Sequence, residues 1–475
     1  MKLSKLLSEL CESEIQNFRE VEITKISQSS KKCSKTTLFV AIKGAKRDGH
    51  DYIDEAYSRG VRVFLCAKKV YGYEDAVIIY SKNTRKDMAT LCSALAGRPE
   101  RHLILVGITG TKGKTTTVYI LSKILEHFNV KNLTVGTLGI DNKTSASAHN
   151  TTPDPTVLFP ALKRALRSGA KVALLEVSSQ ALKDLRIYGI AFDYVAFTGL
   201  GRDHIGIYEH PDFSDYLRAK RSLFTSYGAK RAVVNFDDAY SSYMSAGVPN
   251  VIRCGFSHGA DLRIDAYSDR EAGAEFTVSG EAVKTTLVGK YNATNMTIAL
   301  AIAGAILDVP YKCILSSLCE VNIPGRFERH KYRGIRVIVD YAHNENSFTE
   351  VIGLARRLFG GRIISVFGSV GERSFHRRGE LARVSEKMSD FSVITADTSG
   401  QEYTLSICSE IYSAYSDKTL AKIITDRREA IKYALGVAKA GDTVLLLGKG
   451  HEKSDDGLSD GEFIDRINNI CLDFL

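Results

Sequence analysis

The sequence predicts an α/β protein of three domains. A central phosphate-loop, ATPase-like domain built on a mostly parallel sheet lies between a smaller α/β domain and a C-terminal Rossmann-like domain. Three observations carry this prediction. A Gly-rich turn stands between an apolar run and a helical stretch at residues 103–125. Strand-length apolar runs alternate with helical stretches along the rest of the chain, the pattern of parallel strands joined by crossover helices. Gly97-Arg98-Pro99 and Pro324-Gly325-Arg326-Phe327 interrupt that pattern as linkers, giving domains at 1–98, 99–324 and 325–475.

In the first domain, Thr37–Ile42, Val61–Leu65 and Ala76–Tyr80 read as strands, and a helix near Asp87–Ala96 ends at the linker. Lys43-Gly44-Ala45-Lys46-Arg47-Asp48-Gly49-His50 reads as a polar turn. Its cations suit a pyrophosphate, and composition leaves a plain loop equally open.

The second domain opens on Leu103–Val106, a buried strand, followed by Gly107-Ile108-Thr109-Gly110-Thr111-Lys112-Gly113-Lys114-Thr115-Thr116-Thr117. Val118, Leu121, Ile124 and Leu125 then fall on one helix face. Strand, Gly-rich turn and helix form the setting of a phosphate-binding loop, where backbone N–H groups and the helix N-terminus close on phosphate oxygens. Lys114 reaches the β- and γ-phosphates, and the Thr115 hydroxyl is placed for Mg²⁺. The spacing departs from the usual phosphate loop, since two residues separate Gly110 from Gly113.

Further strands are expected at Val172–Val177, Tyr194–Thr198 and Ala232–Asn235. In such sheets ligands gather at the carboxyl ends of strands. Glu176, Ser178 and Ser179 follow one run, and Asp203 and His204 follow another. Glu176 and His204 are candidates to complete a magnesium site begun by Thr115. Lys220, on a helical stretch, reads from its neighbours as a solvated lysine. Gly289–Asn295 opens a small-residue helix at Met296–Ile306, whose Asn292 and Asn295 either cap it or present amides to a base. The last domain repeats the alternation with runs at Val337–Val339, Ile363–Phe367, Val393–Ala396 and Val444–Leu447, each ending in polar or glycine residues. It carries no second phosphate loop and so is expected to bind a different substrate.

Composition narrows the function classes. No run has transmembrane length and the first residues form no signal peptide, so a cytosolic chain is expected. Nine scattered cysteines without a C-x-x-C pair fit reduced thiols rather than disulfides or zinc. The formal charge of +9 suits an anionic partner, or is only a slightly basic surface. No dense basic run interleaved with aromatics is present, which makes nucleic acid the weaker partner.

Together these pieces resemble the Mur ligase family, specifically its MurE type. The resemblance rests on Thr109–Thr116, Asn150-Thr151-Thr152, Glu176-Val177-Ser178-Ser179, Asp203-His204, Ala219-Lys220, Asp340-Tyr341-Ala342-His343, Asp426-Arg427-Arg428 and Gly448-Lys449-Gly450-His451-Glu452. It implies an ATP-dependent ligase that adds the third amino acid to UDP-N-acetylmuramoyl-L-Ala-D-Glu through an acyl phosphate. It implies ATP and Mg²⁺ as cofactors and closure of the outer domains on the central one. A monomer is expected, without nucleic-acid or membrane partners.

By the same resemblance, Gly110, Thr111, Lys112, Gly113, Lys114, Thr115, Thr116, Asn292, Asn295, Arg326 and Asp340 belong to the ATP site. Thr115, Glu176, His204 and Lys220 are metal-linked, Lys220 as a carbamate formed with CO₂. Ser29, Lys43, Gly44, His50, Asn150, Thr151, Thr152, Ser179 and Arg186 meet the UDP-muramoyl peptide. His343 or the magnesium-bound groups are candidates to help deprotonate the incoming amine. Arg373, Arg377 or Arg378 would hold the amino acid's α-carboxylate, with Asp397, Gly448 and Glu452 around its ammonium groups.

Some positions depart from the family. Diaminopimelate-adding members carry Asp-Asn-Pro-Arg where this chain has Asp397-Thr398-Ser399-Gly400. Gly400 cannot supply the arginine that would pair with a second carboxylate. The expectation is therefore a diamino monocarboxylic acid such as lysine. Gln180 replaces a usual His, and Gly199 and Gly206 replace a common Asn and Asp. Two competing readings remain at this level: a Mur-like ligase for another carboxylate, and a homologue that binds nucleotides without ligating.

Overall fold

The computed structural model describes the chain except residues 12, 45–46, 142–149, 202–204, 207–208, 373–374 and 473–475. The described residues form two compact units. One takes in Met1–Asp265, Val278–Glu281 and Thr294–Ser317, the other Ala266–Thr277, Ala282–Ala293 and Leu318–Leu475.

The first unit holds two sheets. The smaller has five strands, with Thr37–Val40, Val63–Cys66 and Val77–Ser81 in parallel register and Ser13–Gln16 antiparallel at one edge. Side chains alternate along these strands, so each face builds its own core. Leu38, Val40, Leu65 and Ile79 pack toward Met88 and Leu91 of the helix Thr84–Ala96, while Phe39, Phe64 and Ile78 pack on Ile53 and Ala56. Each fully buried side chain of this size contributes roughly 1.5–3 kcal/mol. The helix starts where the Asn83 side chain accepts from Lys86 N–H and stops at Gly97, whose φ of 86° is left-handed.

The larger sheet is parallel through Val251–Gly255, Arg231–Asn235, Tyr194–Phe197, Ile104–Thr109, Val172–Glu176 and Asn132–Gly136. All the strands expected here are present. Ile104–Thr109 lies in the middle, between Tyr194–Phe197 and Val172–Glu176, so three carboxyl ends converge on the phosphate loop. The two sheets of this unit are joined by polar ties. Gln28 donates to Asp154 at 2.8 Å, and Arg85 pairs with Asp184 at 3.2 Å.

The second unit holds a six-stranded sheet ordered Glu328–Tyr332, Ile335–Asp340, Thr443–Leu447, Ile363–Phe367, Phe391–Ile394 and Ala421–Ile423. Only the first pair is antiparallel. Val337, Val339, Val444 and Leu446 face one core; Ile338, Leu445, Leu447 and Phe367 face the other.

Two expectations need correction. The small-residue helix begins at Lys290 and runs to Leu307, so Asn292 and Asn295 lie inside its first turns and cap nothing. Strands also occur at Leu262–Arg270, Gly273–Val278 and Glu281–Thr285, where no apolar run marks them.

The C-terminal helix Asp460–Leu472 carries a pH-sensitive tie. His330 is 2.7 Å from Asp465 and 3.2 Å from Glu328. Burial favours the neutral ring, but the two carboxylates outweigh it and raise the imidazole above its ordinary value. A raised pKa stabilises the fold fully below the unfolded value of about 6.5, and the gain is lost as pH rises through the folded value. Wild type is expected to lose more melting temperature than His330→Gln between about pH 6 and about pH 8.5. Equal losses in a thermal melt would remove this assignment.

Candidate functional site

The phosphate loop is shaped by side chains from the next strand end. A Cβ on Gly110 would overlap Thr198 Oγ1, and one on Gly113 (φ 84°) would sit 2.5 Å from Asn295 Oδ1. Both glycines are therefore required by close approach. Thr198 Oγ1 donates to the Lys112 carbonyl at 2.5 Å, and Thr111 N–H donates to the Gly199 carbonyl at 2.8 Å. Asp238 accepts from Leu200 N–H at 2.7 Å and Asn235 donates to the Thr198 carbonyl at 3.1 Å, so this supporting turn is itself braced. The helix Lys114–His127 begins at Gly113 and directs its first N–H groups at the loop, with Thr115 and Thr116 buried.

Two lysines meet on one oxygen. Lys114 Nζ and Lys220 Nζ each donate to the Gly110 carbonyl at 2.8 Å. Lys220 is 1% exposed, which overturns the solvated reading of this residue. Tyr216 stands one helical turn before it and puts its ring 4.6 Å from the ammonium. The Tyr216 hydroxyl is 2.9 Å from Thr111 Oγ1.

On the other side of the loop, Thr115 Oγ1 donates to Glu176 Oε2 at 2.9 Å. Glu176 is 1% exposed at the end of its strand. Thr137 N–H donates to Oε1 at 2.8 Å, and Thr137 Oγ1 lies 3.0 Å from Oε2. A hydroxyl and a carboxylate form a hard oxygen donor pair. Their separation matches the octahedral edge of about 3 Å expected for ligands about 2.1 Å from Mg²⁺, so the residues fit that ion. Among the described residues no group of three His, Cys, Asp or Glu forms a metal site. His204 and the neighbouring Asp203 fall outside the described residues, as does Arg373.

The threonines expected at the peptide lie beside Glu176. Thr152 Oγ1 donates to the Glu176 carbonyl at 2.7 Å and accepts from Ser178 N–H at 3.0 Å. Thr151 Oγ1 is 3.4 Å from Thr137 Oγ1. Ser179 is buried at the start of a short helix, and Asn150 is exposed. Arg186 donates to the Thr152 carbonyl at 3.0 Å and pairs with Asp154 and Asp184. In the first sheet's domain, Gly44 N–H closes a turn on Arg47, Ser29 N–H binds Ser27 Oγ, and the Lys43 carbonyl accepts from Arg85. His50 differs from expectation. Its Nδ1 lies 2.6 Å from Asp48, and its Nε2 accepts from Ala67 N–H at 3.1 Å. Both ring nitrogens are engaged within the turn, so His50 shapes the loop.

In the second unit, Asp340 accepts from Phe327 N–H and Ala342 N–H, each at 2.7 Å. The Arg326 guanidinium lies 4.7 Å from the Tyr341 ring. His343 Nδ1 is 2.8 Å from the Tyr341 carbonyl. A carbonyl only accepts, so Nδ1 carries the hydrogen and basicity rests on Nε2. Asn292 Nδ2 donates to the Val288 carbonyl at 2.8 Å.

The amino-acid candidates lie at the carboxyl ends of this unit's strands. Gly448 has a left-handed φ of 102°, and Asp397 Oδ2 is 2.8 Å from where a Cβ would stand, so the position favours glycine. Tyr341 donates to Glu452 at 3.0 Å. Burial, and then the Glu452 carboxylate, hold the Tyr341 phenol well above its usual range. Arg377 is half-buried on the helix His376–Met388. Arg378 is not placed as expected. It is 1% exposed and donates to Glu402 and Glu410, each at 2.7 Å, so its charge is already matched inside the fold. Gly400 has φ 62°, and a Cβ there would stand 3.2 Å from the Glu372 carboxylate. A longer side chain at 400 would need both a strained backbone and a displaced Glu372.

Thr137, Thr198 and Tyr216 were missed by the sequence reading. A signal for the first existed in Gly136-Thr137-Leu138-Gly139, a Gly-bounded turn after Leu133–Val135.

Residues 22–97 match the Mur ligase family catalytic domain, 108–303 the Mur ligase middle domain, and 325–450 the Mur ligase glutamate ligase domain. A UDP-N-acetylmuramoyl-L-alanyl-D-glutamate--2,6-diaminopimelate ligase of Aquifex aeolicus is 35% identical over 433 residues, covering 90% of this chain and 88% of the relative. A solved structure of a ligase of the same name aligns with a TM-score of 0.65 at 24% identity, covering 95% of both chains. The MurF ligase of Thermotoga maritima in complex with ADP aligns with a TM-score of 0.62 at 22% identity, covering 94% of this chain and 96% of that one.

Proposed function

The chain belongs to the Mur ligase family, and on that premise we propose that it joins an amino acid to UDP-N-acetylmuramoyl-L-Ala-D-Glu at the expense of ATP. It is an ATP-dependent acid–amino-acid ligase of peptidoglycan synthesis. The observation that carries this is the phosphate loop flanked by Lys114 and Lys220 on one side and by Thr115 and Glu176 on the other.

The chemistry follows from charge. A carboxylate is a poor electrophile and repels a phosphate. The loop N–H groups and Lys114 neutralise the β- and γ-phosphates and align in-line transfer to the acceptor carboxylate. Thr115 and Glu176, with His204 and Lys220 as a carbamate, would hold magnesium, which would supply further neutralisation of phosphate charge. Thr151, Thr152, Ser179 and Arg186 hold the muramoyl peptide, and Ser29, Lys43 and Gly44 meet its uridine diphosphate. The amine attacks the carbonyl carbon of the acyl phosphate. The C–O bond to phosphate breaks from the tetrahedral intermediate and inorganic phosphate leaves, while His343 Nε2 or the groups around magnesium take up the amine's proton. Asn292, Asn295, Arg326 and Asp340 serve the nucleoside of ATP. Residues 1–98, 99–324 and 325–475 divide these tasks as acceptor, ATP and amino-acid domains. ATP and a UDP-linked acceptor place the reaction in the cytoplasm.

The amino acid is a diamino acid. The relatives' name gives diaminopimelate, whereas Gly400 beside Glu372 supplies no cation at that position for a second carboxylate. A monocarboxylic diamino acid such as lysine is therefore the expected substrate. The test is phosphate release by purified protein with ATP, Mg²⁺ and the nucleotide-peptide across a panel of amino acids. Release should require both the acceptor and a diamino acid, with the matching gain in product mass. Faster addition of diaminopimelate than of lysine would overturn the substrate choice, and release with no panel member would overturn the acceptor.

A further inference from the structure

One residue holds both carboxylate oxygens of Glu176. Thr137 follows the strand Asn132–Gly136, which runs parallel to Val172–Glu176 and brings it to the end of Glu176. Its N–H donates to Oε1 at 2.8 Å, and its hydroxyl lies 3.0 Å from Oε2. The preceding residue must be glycine, because a Cβ on Gly136 would overlap Glu176 Oε1. Thr115 reaches the same Oε2 from the phosphate loop at 2.9 Å. The Thr137 hydroxyl is also 3.4 Å from Thr151 Oγ1. A continuous hydroxyl–carboxylate path thus runs from the phosphate loop, through Glu176 and Thr137, to the threonines beside the acceptor.

A hydroxyl has one hydrogen to give. That of Thr137 faces two acceptors, Glu176 Oε2 at 3.0 Å and Thr151 Oγ1 at 3.4 Å. The carboxylate is the nearer and stronger, so the Thr137 hydrogen goes to Glu176 first. A cation that draws on the lone pairs of Glu176 weakens that bond and releases the Thr137 hydrogen toward Thr151. We propose that Thr137 is a positioning residue for the reaction. It sets Glu176 for the divalent cation and couples the cation site to the acceptor site at Thr151. The proposal rests on the ligase reading given above.

Thr137→Val removes the hydroxyl, keeps the shape and leaves the N–H bond. Thr137→Ser restores the hydroxyl. Calorimetry with a non-hydrolysable ATP analogue, titrated with Mg²⁺ in the absence of acceptor, reads the cation site without turnover. Thr137→Val should raise the Mg²⁺ needed for half-maximal binding about tenfold, the scale of losing a partner behind a metal ligand. Its melting temperature should stay near that of wild type, and Thr137→Ser should recover most of the affinity. The KM for the nucleotide-peptide should also rise. Thr137→Val and Thr151→Val should combine less than additively in that KM, as expected of groups in one network. An unchanged Mg²⁺ midpoint in Thr137→Val, or a serine variant as weak as the valine one, overturns the proposal alone. A wild type that binds no magnesium nucleotide overturns the ligase reading and the proposal with it.

Discussion

Replacing Lys220 by alanine is expected to abolish ligation while leaving the protein folded. Its ammonium is buried against the Gly110 carbonyl and the Tyr216 ring, with the Lys114 ammonium on the same carbonyl. Two like charges on one carbonyl oxygen repel each other, and Lys220 is the more deeply buried of the two. Reaction of the neutral amine with CO₂ gives a carbamate and a proton. That change turns repulsion toward Lys114 into attraction and adds an oxygen donor beside the phosphate loop. Loss of such a preorganised charge should lower kcat by about a thousandfold. The check is phosphate release at saturating substrates, with a thermal melt as the control for folding.

A structural pin and a carbamate make different demands. An arginine at 220 can still donate to the Gly110 carbonyl but cannot take up CO₂ to form the same group. Lys220→Arg should therefore be as inactive as Lys220→Ala. Small carboxylic acids, which place an oxygen anion in the vacated space, should partly restore Lys220→Ala, whereas bicarbonate should not. An active arginine variant, or no rescue by any small acid, would leave Lys220 as a pin.

What was legible in the sequence is what is local. Gly110, Gly113, Lys114 and Thr115 are neighbours in the chain, and a strand and a helix frame them. Glu176 was legible because a charged residue leaves an otherwise apolar run. Lys220 was not legible from its neighbours, since its burial comes from a loop 110 residues earlier; only the family resemblance gave it a role. Thr137 meets Glu176 from 39 residues away in the chain, and the Gly-bounded turn around it marks a strand end without naming the carboxylate it reaches. His50 has partners that the sequence did not reveal. The basic turn suits a phosphate by composition, and the contacts of the His50 ring nitrogens with Asp48 and Ala67 come from the folded turn. The strand Leu262–Arg270 escaped because only Leu262 and Ile264 are buried and its remaining positions are mostly polar or charged, so no apolar run announces it. The start of the helix at Lys290 was obscured by asparagines, which are more familiar as caps.

The largest stability loss is expected from Arg427→Leu. The Arg427 guanidinium donates to Asp460 at 2.6 Å, and both side chains are almost wholly buried. Two further bonds reach the Leu447 carbonyl at 3.0 Å and the Ala396 carbonyl at 3.3 Å. These carbonyls immediately precede Gly448 and Asp397, so one cation ties together the two strand ends that carry the amino-acid candidates. Removing it leaves a buried carboxylate supported chiefly by Arg428, at 2.9 Å. Breaking a buried pair in this way costs about 3–5 kcal/mol, because the remaining charge stays desolvated. Urea unfolding of the second unit should move by that amount. Asp460→Leu added to Arg427→Leu should recover a large part of it, since no acid is then stranded. The double variant should nonetheless keep a raised KM for the amino acid and a near-normal KM for ATP, because the strand ends have lost their common donor. A single variant as stable as wild type would show that the pair contributes little. A double variant with normal amino-acid KM would show that these loops hold their shape without it.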